Sequence, residues 1–363
     1  MAPTILRRPP DTCAQNTIAY VIDPRFAGGT SSAVARELRV LAAMGLPITV
    51  CAITSAMFHG SDIAPVLAET LEDIGCPLVW DPSVITADTV LLHNPAFLKF
   101  DTQFTPRILA RQLIVITHEN FLRPGGAEGF DVAHCLSLID RRTLAQRKSL
   151  APISAWNRHT VEGWRAQNPA HCHWSLQPED WFNICDFDLV PPTPRPRDRR
   201  GRHSRAGYEK FPALADMDAC FPASAQANVL LGTDTFLADR LHRPHWRMIP
   251  FRGMNVADFF DEIDFHVYFT TATWRESFGR VLAEALAAGK LVISDPDTAR
   301  VYDGGVVGAR PEQVDDLIAG FVQNPARYQE QVRRGQDVLR RFSSDHFGAV
   351  LARTLMPFPQ EVA

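Results

Sequence analysis

Short apolar runs alternate along the chain with segments in which apolar residues recur every three or four positions. The runs predict buried strands, and the periodic segments predict helices that bury one face. From Thr17 the series reads TIAYVIDP, SSAVARELRVLAAMG, PITVCAI, DIAPVLAETLEDIG, TVLLHNP and RQLIVITHEN. Strands that alternate with helices in this way are typical of a parallel sheet, so the first half of the chain is predicted to be an α/β domain.

The same alternation returns after residue 225. It reads ANVLLGTD, TFLADRL, WRMIPF, NVADFFDEI, DFHVYFTT, SFGRVLAEALAAG and KLVISDP. Between the two series lies VPPTPRPRDRRGRHSR, whose four prolines and six arginines disfavour a helix or a central strand. We therefore predict two doubly wound, Rossmann-like domains, residues 1–190 and 191–340, with a linker near residues 188–198. Residues 341–363 are expected to contain a C-terminal helix that can cross back to the first domain.

Composition narrows the class of protein. The chain has 363 residues, 46% of them apolar, which suffices for two hydrophobic cores and excludes a disordered or fibrous protein. Its 37 basic and 41 acidic side chains give a net charge of −4, so no general positive field favours nucleic acid. The seven cysteines include no C-x-x-C pair, and the first fifteen residues lack the apolar core of a signal peptide. These features predict a cytoplasmic protein.

Two glutamates stand out in the segment RESFGRVLAEALAAGKLVISDP, residues 275–296, which predicts a loop, a helix and a strand. Glu276 and Glu284 are separated by seven residues. If one helix carried both, they would lie about 12 Å apart along its axis and about 80° apart around it. The positive N-terminal end of such a helix suits a hydroxyl group or a diphosphate. An arbitrary pair at this spacing is more often two solvated acids on a buried helix.

The residues around the two glutamates change that interpretation. The first is followed by S-F-G and the second by A-L-A-A-G, so the segment resembles the E-x7-E signature of retaining GT-B glycosyltransferases, the family 4-like or group 1 enzymes. The resemblance implies two Rossmann-like domains that face each other across a cleft. It implies that Glu276, Ser277, Phe278 and Gly279 hold hydroxyl groups of the donor sugar, and that Glu284 holds the ribose hydroxyls of the nucleotide.

A second segment, GRHSRAGYEKFP, residues 201–212, is similar to the G-R…K element of that family. By this resemblance Arg202 and Lys210 clamp the diphosphate, with Arg205 as the alternative to Arg202; a guanidinium and an ammonium can neutralise the leaving group. The family has an apolar strand before G-R, whereas this chain has PRPRDRR. Either that strand is short and in an unusual register, or the turn is displaced. Alone, these basic residues would indicate a solvated linker.

The first domain offers two further candidates. Gly28 and Gly29 follow the first predicted strand and precede a helix, and they resemble the glycine loop that faces the donor phosphates and the acceptor in the family. His118 leaves a predicted strand at its carboxyl end, where ligands of open α/β sheets bind. By resemblance, His118 contacts the donor sugar or the acceptor. His93 and Asn94 make a similar but weaker case.

No metal and no cofactor are expected beyond the nucleotide-sugar substrate. His171, Cys172 and His173 are adjacent, so they cannot all converge on one ion in a regular element. The resemblance implies chemistry in which positive side chains and helix ends replace a metal. The chain also lacks G-x-G-x-x-G after its first strand and lacks a P-loop, which argues against dinucleotide oxidoreductases and P-loop enzymes.

The expected function is therefore transfer of a sugar, with retention, from a nucleoside-diphosphate sugar to a saccharide or glycolipid acceptor in glycan or cell-surface polysaccharide synthesis. The alternatives are a non-catalytic GT-B binding or scaffold protein, another enzyme on the same fold such as an epimerase or a phosphorylase, and a nucleic-acid-binding role for the arginine-rich segment. Residues 141–148, RRTLAQRK, could meet an acidic membrane surface, but a basic solvated helix is the favoured interpretation.

Overall fold

The first of two parallel sheets belongs to the N-terminal half of the chain. The computed structural model describes residues 17–26 and 28–355. Seven parallel strands form this sheet in the order β3-β2-β1-β4-β5-β6-β7. They are β1 (Ile18–Ile22), β2 (Ile48–Ala52), β3 (Leu78–Trp80), β4 (Val84–His93), β5 (Arg107–Thr117), β6 (Thr143–Pro152) and β7 (Ser175–Leu176). The helices that accompany them are α1 (Gly29–Ala43), α2 (Pro65–Asp73), α3 (Val132–Asp140) and α4 (Ala155–Gln167).

The second sheet has six parallel strands in the order β10-β9-β8-β11-β12-β13. They are β8 (Arg199–His203), β9 (Ala227–Leu231), β10 (Arg247–Ile249), β11 (Phe265–Tyr268), β12 (Leu291–Ser294) and β13 (Val307–Gly308). The helices of this half are α5 (Leu214–Cys220), α6 (Asp234–Ala238), α7 (Val256–Asp261), α8 (Arg280–Ala287), α9 (Pro296–Ala299), α10 (Val314–Gln323), α11 (Pro325–Leu339) and α12 (Ser344–Leu355). The predicted α/β class with two parallel sheets is confirmed.

Strand β1 illustrates why the sheets are parallel and covered on both faces. All five of its residues are buried. Alternate residues of a strand point to opposite faces. Accordingly Tyr20 packs in the core that includes Leu38 of α1, while Val21 packs in the core that includes Leu136 of α3. A strand with helices on both faces needs a continuous apolar run, which is what the pattern at Thr17 predicted.

Residues 177–198 connect the two sheets without a helix or a strand. Helix α12, at the end of the described chain, packs back against the first half. The ring of Phe347 meets Trp181 edge-on at 5.3 Å between centroids, and the N–H of Ser344 donates to Asp186 Oδ1 at 2.9 Å. The chain thus crosses between the two halves twice, once through the connecting segment and once before α12.

Strand β8 is the element that the hydrophobic pattern did not reveal, because four of its five residues are arginine or histidine. Arg200 is buried, and its guanidinium lies 2.6 Å from Asp198 Oδ1 and 2.6 Å from Asp315 Oδ1. A buried charge is tolerated when it is paired in this way. The structure has a short strand here, and because Gly201 and Arg202 lie inside it, the turn begins only after His203.

The helix expected for residues 141–148 is wrong. Residues from Thr143 onward form the first half of β6, in parallel register with β5, so that Ala145 lies beside Ala110. Arg141 and Arg142 precede this strand, and Arg147 and Lys148 lie in its first half, which is exposed or half-buried. Exposed and half-buried residues alternate at the start of this strand, so the segment has no apolar helical face. The charged residues also hide the two-residue hydrophobic period that would have indicated a strand.

Two further features are the lengths of the helices and the state of the cysteines. Within residues 17–26 and 28–355, no helix is long and apolar enough to cross a membrane. The six cysteines of the described part are free thiols, and four of them are buried. Cys13 lies outside the described residues.

Candidate functional site

The carboxyl edges of the two sheets meet at one cleft. The side-chain amide of Asn120, in the loop after β5, donates to the carbonyl oxygen of Arg275 at 3.1 Å. The hydroxyl of Ser154, which follows β6, donates to the carbonyl oxygen of Ser277. Both acceptors belong to the loop between β11 and α8. Ligands of open α/β sheets bind at such edges, so this cleft is the candidate site.

Lys210 and Glu276 form an ion pair inside the cleft. Lys210 Nζ lies 2.8 Å from Glu276 Oε1, and the same oxygen accepts a hydrogen bond from the Tyr268 hydroxyl at 2.5 Å. The ammonium also sits 3.8 Å from the centroid of the Trp274 ring, a cation–π contact. Burial lowers the pKa of Lys210, although the charge of Glu276 opposes this shift. The sequence predicted both charged residues, and the structure brings them together.

The two glutamates do not share one helix. Helix α8 begins only at Arg280, because Gly279 adopts the left-handed conformation, with φ of 76°. The separation calculated above for a continuous helix is therefore wrong: Glu276 lies in the loop and Glu284 in α8. The backbone N–H groups of residues 277–279 donate to no acceptor among the described residues. These groups precede the positive N-terminal end of α8.

Ser277, Phe278 and Gly279 face this site through their backbone. The ring of Phe278 is buried and packs against Phe342, 5.1 Å between centroids. The Tyr302 hydroxyl donates to the carbonyl oxygen of Gly279 at 2.8 Å, which holds the loop in place. The side chain of Phe278 is thus part of the core, and what the loop can offer a ligand is its N–H groups.

The carboxylate of Glu284 is held by the side chains of His203 and Arg280. Its Oε2 lies 3.1 Å from His203 Nε2 and its Oε1 lies 2.9 Å from Arg280 Nε. Burial raises the pKa of Glu284, but the hydrogen bond and charge of His203 and the charge of Arg280 lower it overall. The second nitrogen of His203, Nδ1, lies 3.1 Å from His266 Nε2. Glu284 is therefore a fixed carboxylate with an acceptor oxygen at the cleft.

A cavity of about 650 Å³ opens beside Glu284. Such a volume accommodates a small organic ligand, and a mixture of apolar walls and a few polar groups is typical of ligand sites. The hydroxyl of Ser204 is buried there without a hydrogen-bond partner among the described residues. The cavity is lined by His203, Ser204, Arg205, Leu231, Phe251, Arg252, Gly253, Met254, Asn255, Val256, Val281 and Glu284.

The assignment of Arg202 to a diphosphate clamp does not fit its position. Its side chain has no exposed surface, and its guanidinium donates to the carbonyl oxygens of Phe269 and Lys210. Burial lowers the pKa of Arg202 to about 10. Arg205, the alternative, is 59% exposed, lies 2.8 Å from Glu209 and lines the cavity. Arg205 can reach a ligand, whereas Arg202 holds the backbone on which Lys210 sits.

Gly28 and Gly29 lie at the start of α1, after the carboxyl end of β1. Gly28 precedes the helix in an extended conformation, and a β-carbon there would lie 2.7 Å from the ring of Phe26. A β-carbon at Gly29 would meet nothing within 4 Å. Only Gly28 is thus required for packing, while Gly29 leaves open space at the end of the helix.

His118 lies at the same edge and is 9% exposed. Its Nε2 lies 3.0 Å from Nδ1 of His93, and burial lowers the pKa of His118 to about 3. His93 in turn faces Glu37 of α1 at 3.4 Å, between Nε2 and Oε2. Burial raises the pKa of Glu37 to about 8, although hydrogen bonds from Trp181 and Tyr20 oppose the shift. His93 and His118 were candidates from the sequence, but no pattern along the chain connected them to Glu37.

The described part of the chain contains no group of three or more histidine, cysteine, aspartate or glutamate side chains that could hold a metal ion. Two cations of this region are Lys210, which pairs with Glu276, and Arg205, which lines the cavity. These two side chains approach from the turn after β8, and the free N–H groups of residues 277–279 approach from the loop after β11.

The sequence matches no family model and no curated protein. Solved structures match over almost the whole chain. HepE of Anabaena in complex with UDP is 14% identical, with a TM-score of 0.63, over 93% of this chain and 99% of that one. The pneumococcal O-GlcNAc transferase GtfA, in complex with UDP and GlcNAc, is 9% identical, with a TM-score of 0.60, over 94% and 99%.

A third structure, the apo form of the lipopolysaccharide outer core galactosyltransferase WaaB, is 12% identical, with a TM-score of 0.59, over 93% of this chain and 99% of that one. At such low identity the similarity establishes the fold. The predicted GT-B architecture, two parallel-sheet α/β domains, is confirmed.

Proposed function

We propose that the chain transfers a sugar from a nucleoside-diphosphate sugar to an acceptor hydroxyl. The observation that carries this proposal is the cavity of about 650 Å³ that has both Glu284 and Arg205 on its wall. A carboxylate suited to ribose hydroxyls and a cation suited to phosphate thus line the same cavity, and Lys210 belongs to the same turn as Arg205. HepE and GtfA, which share the fold, were solved with UDP, so a uridine nucleotide is the first donor class to test.

In this proposal the nucleoside occupies the cavity. Glu284 accepts hydrogen bonds from the ribose hydroxyls, and His203 and Arg280 fix its carboxylate so that little ordering is left to the ligand. The apolar wall, which includes Phe251 and Met254, covers the base. The buried, unpartnered hydroxyl of Ser204 gains a polar partner when the ligand enters.

The diphosphate meets Lys210, Arg205 and the N–H groups before α8. An ammonium group has three donor hydrogens, so Lys210 can keep its bond to Glu276 and still donate to a phosphate oxygen. Charge that develops on the leaving nucleoside diphosphate would be stabilised by these fixed groups, which is the main electrostatic contribution available here. Glu276 pairs with Lys210, and in this proposal its carboxylate accepts a hydrogen bond from a hydroxyl group of the donor sugar.

We further infer retention of the anomeric configuration and metal-independent transfer, both from the E-x7-E resemblance. The acceptor, a saccharide or a glycolipid, would enter from the first domain, where His118 and Gly29 lie at the facing edge. Synthesis of a glycan or a cell-surface polysaccharide in the cytoplasm is the setting that fits this proposal, because the six cysteines of the described residues are free thiols, which is typical of a reducing compartment.

The test is a thermal-shift screen of the purified chain with UDP, GDP, ADP and TDP and their sugar conjugates, with and without magnesium, followed by assay of donor hydrolysis for each ligand that binds. A ligand at 100 times its Kd adds about 2.7 kcal/mol of apparent stability. Binding with release of nucleoside diphosphate supports the proposal. Binding without turnover would favour a non-catalytic GT-B protein, and no shift with any nucleotide would contradict the donor site.

A further inference from the structure

A line of buried polar side chains connects the inside of the first domain to its cleft edge. Glu37, on the inner face of α1, is 1% exposed, and His93, at the end of β4, has no exposed surface. Glu37 Oε2 lies 3.4 Å from His93 Nε2, and His93 Nδ1 lies 3.0 Å from His118 Nε2. The line ends at His118, directly after β5 and two residues before the contact of Asn120 with the second domain.

Neighbouring side chains fix the orientation of each member. The ring of Tyr20 stacks on His93, with centroids 5.1 Å apart and an angle of 11°. The Tyr20 hydroxyl and Trp181 Nε1 donate to Glu37 Oε2 at 3.1 Å and 3.0 Å. These are the groups that face Glu37 from β1, from β4 and from the segment after β7, and of them only Tyr20 and His93 can titrate. The neighbouring α1 residue Arg39 pairs with Asp73 instead.

Both histidines are neutral, because burial lowers the pKa of each. A neutral imidazole has one N–H donor and one acceptor nitrogen, so the proton on one ring decides the proton on the next. In His118, Nε2 is engaged with His93, whereas the second nitrogen, Nδ1, is left open: it bonds to none of the described residues. If Nε2 of His118 carries the proton, Nδ1 is an acceptor, and if Nε2 is unprotonated, Nδ1 is a donor.

The two ionisation states of Glu37 give opposite patterns. Glu37 Oε1 and His93 Nε2 are both buried without a hydrogen-bond partner among the described residues. A neutral Glu37 carries its proton on Oε2, which lies 3.4 Å from that nitrogen, because an O–H there gives His93 Nε2 a partner, whereas an O–H on Oε1 would stay unpaired at a cost. Its O–H donates to His93 Nε2, His93 Nδ1–H donates to His118 Nε2, and His118 carries its proton on Nδ1. With Glu37 ionised, His93 Nε2–H donates to the carboxylate and His118 Nε2–H donates to His93, which leaves Nδ1 unprotonated.

We propose that the ionisation state of Glu37 sets the tautomer of His118 through His93, so that these two buried groups decide whether the open Nδ1 of His118 donates or accepts a hydrogen bond. One proton moves along each contact: from Glu37 to His93 Nε2, from His93 Nδ1 to His118 Nε2, and from His118 Nδ1 to solvent. No charge stays on either ring. Glu37 and His93 are positioning residues in this scheme.

The consequence for turnover rests on the function proposed above; the tautomer itself does not. A sugar hydroxyl at Nδ1 of His118 would accept a hydrogen bond in one state and donate one in the other. Transfer that depends on His118 would then change with pH over the range in which Glu37 titrates, with kcat affected more than KM if the bond forms mainly in the transition state.

The experiment is imidazole ¹⁵N NMR of the full chain labelled at histidine, with the His118 signals assigned by comparison with His118→Gln. Between about pH 6 and about pH 10, on either side of the pKa of Glu37 at about 8, we expect Nδ1 of His118 to change from protonated to unprotonated. Glu37→Gln should hold one tautomer over the whole range. Tyr20→Phe, which removes a hydrogen bond that lowers the pKa of Glu37, should move the change to higher pH.

A change of tautomer that persists in Glu37→Gln, or an Nδ1 signal that is constant with pH in the unsubstituted chain, would overturn the proposal. These readouts need no substrate, so they separate its failure from a failure of the proposed function. If donor turnover is found, its pH profile above about pH 7 should flatten in Glu37→Gln and remain unchanged in the control His159→Gln, an exposed histidine. An unaltered profile in Glu37→Gln would contradict the role in turnover.

Discussion

Lys210 Nζ lies 2.8 Å from Glu276 Oε1, although the two residues are 66 positions apart and belong to different loops. The pair joins the turn after β8 to the loop after β11, which are the two segments that the sequence singled out. Both side chains are largely buried, so each charge depends on the other. The contact makes one site out of two motifs and leads to the first prediction.

Removing one member of this pair should cost much more stability than removing both. In Lys210→Met, Glu276 keeps its charge but loses its cation, and breaking a buried pair in this way costs about 3–5 kcal/mol. In Lys210→Met with Glu276→Gln no charge is stranded, and the Tyr268 hydroxyl can still donate to the glutamine oxygen. Urea unfolding of the single and double variants measures the difference. Equal losses in the two would show that the pair is not coupled, and Lys99→Met, at a half-buried lysine, serves as the control.

Arg202 and Arg205 should respond in opposite ways to substitution. Arg202→Ala leaves the carbonyl oxygens of Lys210 and Phe269 without a buried donor and should lower the free energy of unfolding by on the order of 3 kcal/mol. Arg205→Ala removes an exposed group and should leave stability almost unchanged. It should weaken binding of a nucleoside diphosphate by about tenfold or more while the nucleoside binds as before.

Unfolding and titration with the matched diphosphate and nucleoside distinguish these outcomes, with Arg333→Ala as the exposed control. If Arg202→Ala folds stably and loses diphosphate affinity, the clamp is Arg202 and the assignment of its side chain to the core is wrong.

The free energy of unfolding should fall as pH rises from about 4.5 to about 8 on account of Glu37. Its pKa in the folded chain is about 8, against an ordinary value of 4.5. The folded state therefore binds more protons than the unfolded state in this interval, and linkage makes stability decrease with pH. In Glu37→Gln that decrease should be absent. Denaturant unfolding at several pH values measures it, and a parallel decrease in both proteins would exclude Glu37 as the source.

His118 should act in the opposite direction on the acid side. Burial lowers its pKa from 6.5 to about 3, so between these values the unfolded state binds the additional proton. The stability present above pH 6.5 is lost as pH falls toward 3. His118→Gln should therefore flatten the acid limb of the stability curve, whereas the exposed His159→Gln should not. Curves that superimpose would show that His118 is not buried in its neutral form.

The fold could be predicted from the sequence wherever apolar runs mark buried strands. Strand β8 was missed because its buried side chains include two arginines: Arg200 pairs with Asp198 and Asp315, and Arg202 donates hydrogen bonds to backbone carbonyl oxygens. A hydrophobic pattern cannot report burial that depends on ion pairs between distant residues. The start of β6 was missed for a related reason, since its basic residues lie on the exposed part of a strand.

The candidate site was only partly predictable. Glu276, Lys210 and Glu284 were recognised by their local motifs. The separation calculated for the two glutamates is wrong because α8 begins only after Gly279, so Glu276 lies outside the helix. His203 directly follows the G-R pair, and this position next to a motif was the one signal that could have found it. The contact of Glu37 with His93 depends on the packing of α1 across β1 and β4, which no spacing along the chain reveals.

The proposed function requires first of all that the cavity beside Glu284 binds a nucleoside diphosphate. Isothermal titration of UDP, and of GDP, ADP and TDP in turn, against the unsubstituted chain, Glu284→Gln and the exposed control Glu312→Gln tests that claim. We predict that one of these nucleotides binds and that Glu284→Gln weakens its binding by about tenfold or more, equivalent to about 1.5–3 kcal/mol for a charged hydrogen bond. Glu312→Gln should bind as the unsubstituted chain does. Binding that is equal in all three proteins, or no binding to a folded chain, would contradict the account.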